Sequence, residues 1–73
     1  MGKIVLEMNV MMAKRNISLN DLADKVGISN VNLSKIKNNK VNAIRFGTLA
    51  NICEALECEP GDILKYDPNG SQE

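Results

Sequence analysis

Apolar residues recur every three or four positions along most of the chain, the spacing that places side chains on one face of an α-helix. The pattern predicts five short helices, at about residues 6–15, 19–26, 29–38, 46–56 and 60–64. The positions expected to point inward are Met8, Met11, Met12, Leu19, Leu22, Ala23, Val26, Leu33, Ile36, Phe46, Leu49, Ile52, Cys53, Leu56 and Ile63. The predicted fold class is all-α, a compact bundle of five short helices around one core.

Residue types suited to helix ends divide the chain at the same places. Ser18 and Ser29 are predicted N-caps, because a serine hydroxyl accepts hydrogen bonds from the free N–H groups of the first helical turn. Gly27 is expected to end the second helix after about two turns, since glycine adopts positive φ angles without strain. Asn39 is expected to close the third helix in the same left-handed conformation, and Pro60 suits the first position of the last helix.

The two ends of the domain carry a shorter pattern. Ile4 and Val5 are β-branched and predict a short strand, which would pair with a second strand at residues 64–66. The single domain is then expected to cover residues 1–66. Residues 67–73 contain nothing apolar to bury and are expected to form a disordered tail.

The second and third helices follow the pattern of a helix-turn-helix. They are short, each has one apolar face, and a tight turn through Gly27 joins them. Ala23 supports this interpretation, because a small side chain is needed where two helices approach closely. The order of elements therefore favours a helix-turn-helix inside the five-helix bundle.

Charge changes the picture only when it is divided along the chain. The 73 residues contain nine Lys and Arg and nine Asp and Glu, so the formal net charge is zero. Between residues 13 and 45, seven basic residues stand against two acidic ones, a net charge of +5. Between residues 46 and 73, one basic residue stands against six acidic ones, a net charge of −5. This asymmetry points to a nucleic acid or another charged partner for the basic part.

The chain offers little for enzyme chemistry. It contains no His, no Gly-rich phosphate loop and no Ser or Cys with a recognisable base partner. Cys53 and Cys58 are interpreted as small apolar residues, because zinc would need two further Cys or His ligands. No catalytic residue, cofactor or metal is predicted. No apolar run is long enough for a membrane span, and the expected location is the cytoplasm, on the nucleoid when bound to DNA.

Two motifs resemble the lambda-repressor-like helix-turn-helix proteins of Xre/Cro type. They are ISLxxLAxxVGISxxxLSxI at residues 17–36 and LxxIxxALECxPxDIL at residues 49–64. The similarity covers roughly residues 6–64 and implies a DNA-binding fold. Three positions depart from the family pattern: Asn39 replaces a glycine, Ala43 and Ile44 stand where a proline is common, and Gly47 weakens the start of the fourth helix by about 0.5–1 kcal/mol relative to alanine.

Helical geometry identifies the side chains that would reach a major groove. With Leu33 and Ile36 inward, the opposite face and the forward tip of the third helix present the expected base-contacting residues, Ser29, Asn30, Val31, Ser34 and Lys35. Asn30 suits adenine and Lys35 suits guanine or a phosphate. Val31 suits a thymine methyl group, with an ordinary exposed surface position as the alternative.

Phosphate contacts are expected beside this helix. The N–H groups at Ser18 and Leu19, which begin the second helix, form a natural phosphate site. The family resemblance further implies that Asn38, Lys40 and Arg45 hold the DNA backbone. The acidic residues of the second half are expected to lie away from the DNA.

These observations lead to a functional hypothesis with two rivals. The hypothesis is a sequence-specific, double-stranded DNA-binding transcriptional regulator, a repressor, acting as a homodimer through its last two helices and Tyr66. No separate effector-binding domain is expected. One rival is a protein-interaction module, such as the antitoxin of a toxin pair or an anti-repressor, that docks through its acidic half. The other is an enzyme with a reactive thiol at Cys53 or Cys58.

Overall fold

A small antiparallel sheet joins the two ends of the chain, and five helices lie between its strands. The computed structural model describes residues 2–69. Its elements are β1 (Lys3–Leu6), α1 (Asn9–Arg15), α2 (Leu19–Val26), α3 (Asn30–Lys37), α4 (Phe46–Leu56), α5 (Pro60–Ile63) and β2 (Leu64–Asp67). The five predicted helices and the predicted pair of terminal strands are confirmed.

The sheet is longer than the sequence pattern indicated, and this shortens the first helix. Ile4 pairs with Tyr66 and Leu6 pairs with Leu64. The Glu7 N–H then donates to the Ile63 carbonyl oxygen at 2.7 Å, so strand-like pairing continues beyond β1. The prediction that the first helix begins at residue 6 is therefore wrong, and α1 begins at Asn9.

The predicted helix ends in the helix-turn-helix are confirmed. Ser18 Oγ accepts from the Asp21 N–H and Ser29 Oγ accepts from the Asn32 N–H, both at 3.1 Å. Gly27 adopts a φ of 88° directly after α2. These ends depend on residues no more than three positions away, which is why the sequence alone indicated them.

The core lies between the helices and the inner face of the sheet. All five helices and β1 contribute to it: the buried residues are Leu6, Met8, Met11, Met12, Leu22, Ala23, Val26, Leu33, Ile36, Leu49, Ile52, Leu56 and Ile63. Leu19 and Cys53, also predicted to point inward, are half-buried against this core.

Phe46 is the one predicted core residue that the structure places in solvent, with 87% of its surface exposed. It lies three residues before Leu49, so helical spacing directs it toward the inner face of α4. However, Phe46 is the first residue of α4, and its side chain does not pack against the core. Val41 and Ile44 of the preceding loop pack against the core instead.

Two long-range contacts complete the frame. The Asn39 side chain accepts from the Leu6 N–H at 2.7 Å and donates to the Leu6 carbonyl oxygen at 3.1 Å, so the end of α3 is attached to β1. Arg15 at the end of α1 donates to the carbonyl oxygens of Leu56 and Glu57, at 2.7 and 2.9 Å. Arg15 therefore caps α4 in addition to lying at the negative end of its own helix.

The boundary of the predicted tail needs one correction. Asp67 belongs to β2 and pairs with Lys3, so it is part of the sheet. Residues 70–73 of the predicted tail lie outside the described residues. Within residues 2–69, none of the helices has the length and apolar character required to cross a bilayer.

Candidate nucleic-acid interface

The turn between α2 and α3 fixes the relative position of the two helices. The N–H groups of Gly27 and Ile28 both donate to the Ala23 carbonyl oxygen, at 2.8 and 3.2 Å. The Ala23 side chain is buried, and Leu33 of α3 is fully buried as well. The small side chain at position 23 lets the two helices approach closely, so α3 is held on α2 with its other face outward.

The outward face of α3 consists of Val31, Ser34, Lys35 and Asn38. Val31 has 65% of its surface exposed, whereas Leu33 and Ile36 are buried on the opposite side. The Asn38 Nδ2 group donates to Ser34 Oγ at 3.3 Å, and Ser34 is half-buried. This face offers hydroxyl, amide, ammonium and methyl groups, which match the chemical groups on base edges in a major groove.

At the forward tip of α3, a side-chain contact orients Asn30. Its Nδ2 group donates a hydrogen bond to Oδ1 of Asn20 in the first turn of α2. The Asn30 amide therefore keeps its own oxygen as a free acceptor at the tip. The sequence pattern did not identify Asn20. The sequence did offer one signal for Asn20, because it directly follows Leu19 at the predicted phosphate site at the start of α2.

The start of α2 lies beside this tip. Ser18 Oγ is occupied by the Asp21 N–H, and the Ser18 carbonyl oxygen accepts from the Leu22 N–H. The N–H groups of Leu19 and Asn20 are the donors that this cap leaves for an external acceptor. Such a pair of N–H groups at a helix N-terminus is suited to a phosphate oxygen.

A cleft of about 410 Å³ separates α3 from the start of α4. Lys35 and Arg45 lie on its two sides, and its floor contains Ile28, Ile36, Val41 and Ile44. Asn32 and Thr48, which the sequence pattern did not identify, also line it. Asn32 precedes Lys35 by three residues, so both side chains lie toward the cleft.

The start of α4 differs from the starts of α2 and α3, because no side chain caps it. Arg45 is the N-cap residue and has an extended backbone. Its side chain makes no hydrogen bond to the first turn of α4. Lys40, in the loop that leads to α4, is exposed, and its N–H donates to the Lys35 carbonyl oxygen at 2.8 Å. Lys35 and Arg45 therefore line one cleft, and Lys40 lies in the loop that joins α3 to α4.

The two ends of α4 differ in charge. Arg45 stands at the N-terminal end, whereas Glu54, Glu57, Glu59 and Asp62 surround a surface depression at the C-terminal end. The 11 residues of α4 give a length of about 16 Å, which exceeds the Debye length of about 8–10 Å at physiological salt. The acidic residues are thus separated and screened from the basic cleft. Arg15 lies with them, so it does not belong to the basic surface around α3.

The two cysteines line the same depression as these carboxylates. Burial, with the neighbouring Cys53 thiol as a smaller cause, raises the pKa of the Cys58 thiol. A raised pKa lowers the fraction of reactive thiolate at neutral pH, which opposes a nucleophilic role for Cys58. In the part of the chain that the structure describes, no three metal-ligating side chains cluster.

Comparisons with known proteins agree with this geometry. The sequence model of the Cro/C1-type HTH DNA-binding domain matches residues 7–69. YozG of Bacillus subtilis strain 168, an uncharacterized HTH-type transcriptional regulator, is 54% identical over 63 residues, which cover 86% of this chain and 75% of YozG.

Two solved structures share the fold. A candidate DNA-binding protein from Bacteroides fragilis superposes with a TM-score of 0.76 at 21% identity, over 86% of this chain and all of that chain. The transcriptional regulator VanUg gives a TM-score of 0.68 at 26% identity, over 89% of this chain and 88% of that chain. The sequence match and the helix-turn-helix geometry together show that the chain belongs to the family of Cro/C1-type helix-turn-helix DNA-binding domains.

Proposed function

We propose that the protein is a sequence-specific regulator of transcription that reads the major groove of double-stranded DNA with α3. The observation that carries the proposal is the outward face of α3, flanked by free N–H groups on one side and by a basic loop on the other. An α-helix with its side chains is about 10–12 Å in diameter, which fits the major groove of about 12 Å, and flanking phosphate contacts would fix its register.

Base recognition is assigned to Ser29, Asn30, Val31, Ser34 and Lys35. The amide of Asn30 would pair with an adenine, in an orientation supported by its hydrogen bond to Asn20. Lys35 would reach a guanine, and the Val31 methyl groups would contact a thymine methyl group. These side chains occupy one continuous surface, the tip and outer face of α3.

Phosphate contacts are assigned to both sides of that surface. The N–H groups next to Ser18 and Leu19 would bind one phosphate, while Asn38, Lys40 and Arg45 would bind the backbone beyond the loop. The uncapped N-terminus of α4 adds N–H donors beside Arg45. Phosphate contacts of this kind make binding strongly dependent on salt.

We further propose that the protein acts as a homodimer and a repressor. One α3 helix reads only a few base pairs, and two helices about 34 Å apart would read two half-sites on one face of DNA. A domain bound in this way blocks other proteins from the same base pairs, so occupancy alone would repress transcription. The protein would act in the cytoplasm, and on the nucleoid when it is bound to DNA.

Selection of bound sites from random DNA duplexes tests the proposal. We expect enrichment of a palindrome whose half-sites are one helical turn apart. Asn30→Ala should relax the preference at one base position and weaken binding by about 1–3 kcal/mol. Arg45→Ala should weaken binding to all sequences alike and reduce the salt slope by about one per protomer.

Lys25→Ala is the matched control for lost charge. Lys25 lies in the last turn of α2, beside Glu54 and Glu57 and away from α3's outward face. Its removal should leave sequence preference and affinity close to those of the unchanged protein. Absence of duplex binding at low salt, or equal effects of Lys25→Ala and Lys35→Ala, would overturn the proposal and favour a protein-interaction role.

A further inference from the structure

The outer edge of β2 is an unpaired strand edge. Residues Ile63, Lys65 and Asp67 direct their backbone groups toward β1, as the bond from the Glu7 N–H to the Ile63 carbonyl oxygen shows. The N–H and carbonyl groups of Tyr66 therefore point away from β1. Within residues 2–69 no other group of the chain hydrogen-bonds to them. Tyr66 thus offers one donor and one acceptor to another strand.

The opposite edge of the sheet is closed. On β1, the outward backbone groups belong to Ile4 and Leu6, and the Asn39 side chain occupies both groups of Leu6. A strand laid along β1 would collide with Asn39 two residues from Ile4. Asn39 therefore obstructs the β1 edge at Leu6, whereas no side chain within residues 2–69 hydrogen-bonds to the β2 edge at Tyr66.

The residues around Tyr66 are complementary to themselves. If two copies of β2 run antiparallel about a twofold axis at Tyr66, each Lys65 lies opposite the partner's Asp67, and each Asp67 lies opposite the partner's Lys65. Such neighbours form a non-hydrogen-bonded pair with Cα atoms about 4.5 Å apart, the closest pairing in an antiparallel sheet. Opposite charges at this position stabilise strand pairing.

The apolar face of the sheet supports the same arrangement. Ile4 and Tyr66 are cross-strand partners on one face, and 61% and 66% of their surfaces are exposed. Pairing at Tyr66 would place the two Tyr66 side chains next to each other, with one Ile4 beyond each of them. The four side chains would form one apolar row across four strands. The charged Lys65 and Asp67 would lie on the other face.

The neighbouring residues limit the length of the contact. The Leu64 N–H already donates to the Pro60 carbonyl oxygen, and the opposing residue, the partner's Pro68, has no N–H group. Pairing therefore ends one residue on either side of Tyr66, which also sets its register.

We infer that the homodimer forms by antiparallel pairing of residues 65–67 with the same residues of a second copy, centred on Tyr66. This inference deepens the dimer in the proposed function by naming its surface, and it narrows the expected surface, the last two helices and Tyr66, to Tyr66 and its two neighbours. A contact of three residues per copy is weak in free solution. On DNA it gains from the high effective concentration of two protomers bound side by side.

The arrangement is compatible with two half-sites. The strand order across the dimer is β1–β2–β2–β1, so the two β1 strands are about 14 Å apart. Asn39 attaches the C-terminal end of α3 to β1 in each copy, and each α3 is about 12 Å long. These lengths allow the centres of the two α3 helices to lie about 34 Å apart, the separation of half-sites one turn apart.

A pair of charge-reversed variants tests the contact without DNA. Lys65→Asp places two aspartates opposite each other at both ends of the contact, and Asp67→Lys places two lysines there. Each variant alone should associate about tenfold more weakly than the unchanged protein at low salt. An equimolar mixture should recover association, because the mixed dimer restores both opposite-charge pairs. Sedimentation velocity at increasing protein concentration measures all three samples.

Cross-linking provides a second measurement that does not depend on charge. In a background with Cys53→Ala and Cys58→Ala, Tyr66→Cys should form a disulfide-linked dimer on mild oxidation, because the paired Cα atoms would be about 5.5 Å apart. Ile4→Cys is the matched control, since Ile4 is about equally exposed but lies on the closed edge. It should remain monomeric under the same conditions.

The two measurements have decisive outcomes. A monomer at every concentration, a mixture no stronger than its separate variants, or equal cross-linking at positions 4 and 66 would overturn the inference. Because both are made without DNA, they can fail while sequence-specific DNA binding is retained. Likewise, a loss of DNA binding in Asn30→Ala would leave the results of sedimentation and cross-linking unchanged.

Discussion

The helix-turn-helix and the frame behind it are held by two different kinds of contact. In α2 and α3, each first turn is capped by a serine three residues from its partner. In the frame, Asn39 reaches Leu6 across 33 positions and Arg15 reaches Leu56 across 41 positions. The helix-turn-helix therefore has locally determined ends, whereas its attachment to the rest of the domain depends on the complete fold.

This difference separates two properties of the molecule. Local caps determine where α3 begins, so they act on the shape of the surface that we propose meets DNA. Long-range side-chain contacts determine where that helix is held relative to the sheet, and through the inferred dimer relative to a second copy. We expect the long-range side-chain contacts to contribute more to stability than the local caps.

The largest loss of stability is expected for Asn39→Ala. Asn39 adopts a φ of 61°, which alanine tolerates poorly, and its amide satisfies both backbone groups of Leu6. We expect the free energy of unfolding to fall by about 2–3 kcal/mol in urea denaturation. Asn39→Gly is the control, because glycine keeps the conformation while removing the amide, and it should lose about half as much. Equal losses would show that the positive φ of Asn39 contributes nothing, and no loss in Asn39→Gly would show that the amide contact contributes nothing.

The next effect is expected for Arg15→Ala. This change removes two charge-assisted hydrogen bonds from the end of α4, and because the side chain is partly exposed the expected loss is about 1.5 kcal/mol. Lys14→Ala removes a cation from the same end of α1 and should change stability by less than about 0.5 kcal/mol. Thermal unfolding of both variants decides between capping of α4 and a general effect of charge on α1.

The serine caps should have smaller and nearly equal effects on stability. Ser18→Ala and Ser29→Ala should each lower the free energy of unfolding by about 1 kcal/mol, and Ser29→Gly by a few tenths. Only the change at Ser29 should also alter base preference in site selection, because Ser29 stands at the tip of α3. Altered preference in both variants would contradict the division of roles.

A small gain in stability is expected for Glu57→Gly. Glu57 adopts a φ of 52° after α4 and also lies at the negative end of that helix. Glycine adopts this conformation without strain, so we expect a gain of about 0.5–1 kcal/mol in chemical denaturation. Glu54→Gly, inside the helix, should be destabilising and provides the contrast.

The smallest effect concerns the pH dependence of Cys58. Because its pKa is raised on folding, the unfolded chain loses this proton first as the pH rises. The contribution of the Cys58 thiol to the free energy of unfolding is complete below the ordinary thiol pKa of about 8.5. It is lost as the pH rises through the pKa of Cys58 in the folded state. The difference in stability between the unchanged protein and Cys58→Ala should therefore decrease above about pH 8.5, while alkylation of Cys58 stays slow at neutral pH.

Much of the fold could be predicted from the sequence because its signals are local. Gly27 and the two serines end or begin helices through their own conformations and nearest neighbours. The β-branched residues at the start indicated β1 and its pairing with β2. Phe46 was predicted incorrectly because periodicity gives the direction of a side chain and does not show whether other atoms lie opposite it.

The candidate site was predictable to a similar extent. The spacing of Leu33 and Ile36 oriented α3, so its outward residues followed from helical geometry. Asn20, Asn32 and Thr48 were missed because their places depend on how α2 and α4 lie against α3. The division of charge was visible in sequence, but Arg15 belongs in space to the acidic side.

The helices, their caps and the helix-turn-helix follow from the sequence alone, because each depends on interactions within a few residues. Which face of α3 is polar also follows from the sequence, through the period of the α-helix. Three features are visible only in the folded molecule: Asn39 occupies the edge of β1 at Leu6, Arg15 caps α4, and Tyr66 lies on an open edge. These features join residues far apart in the chain, and their distances exist only after the core has packed.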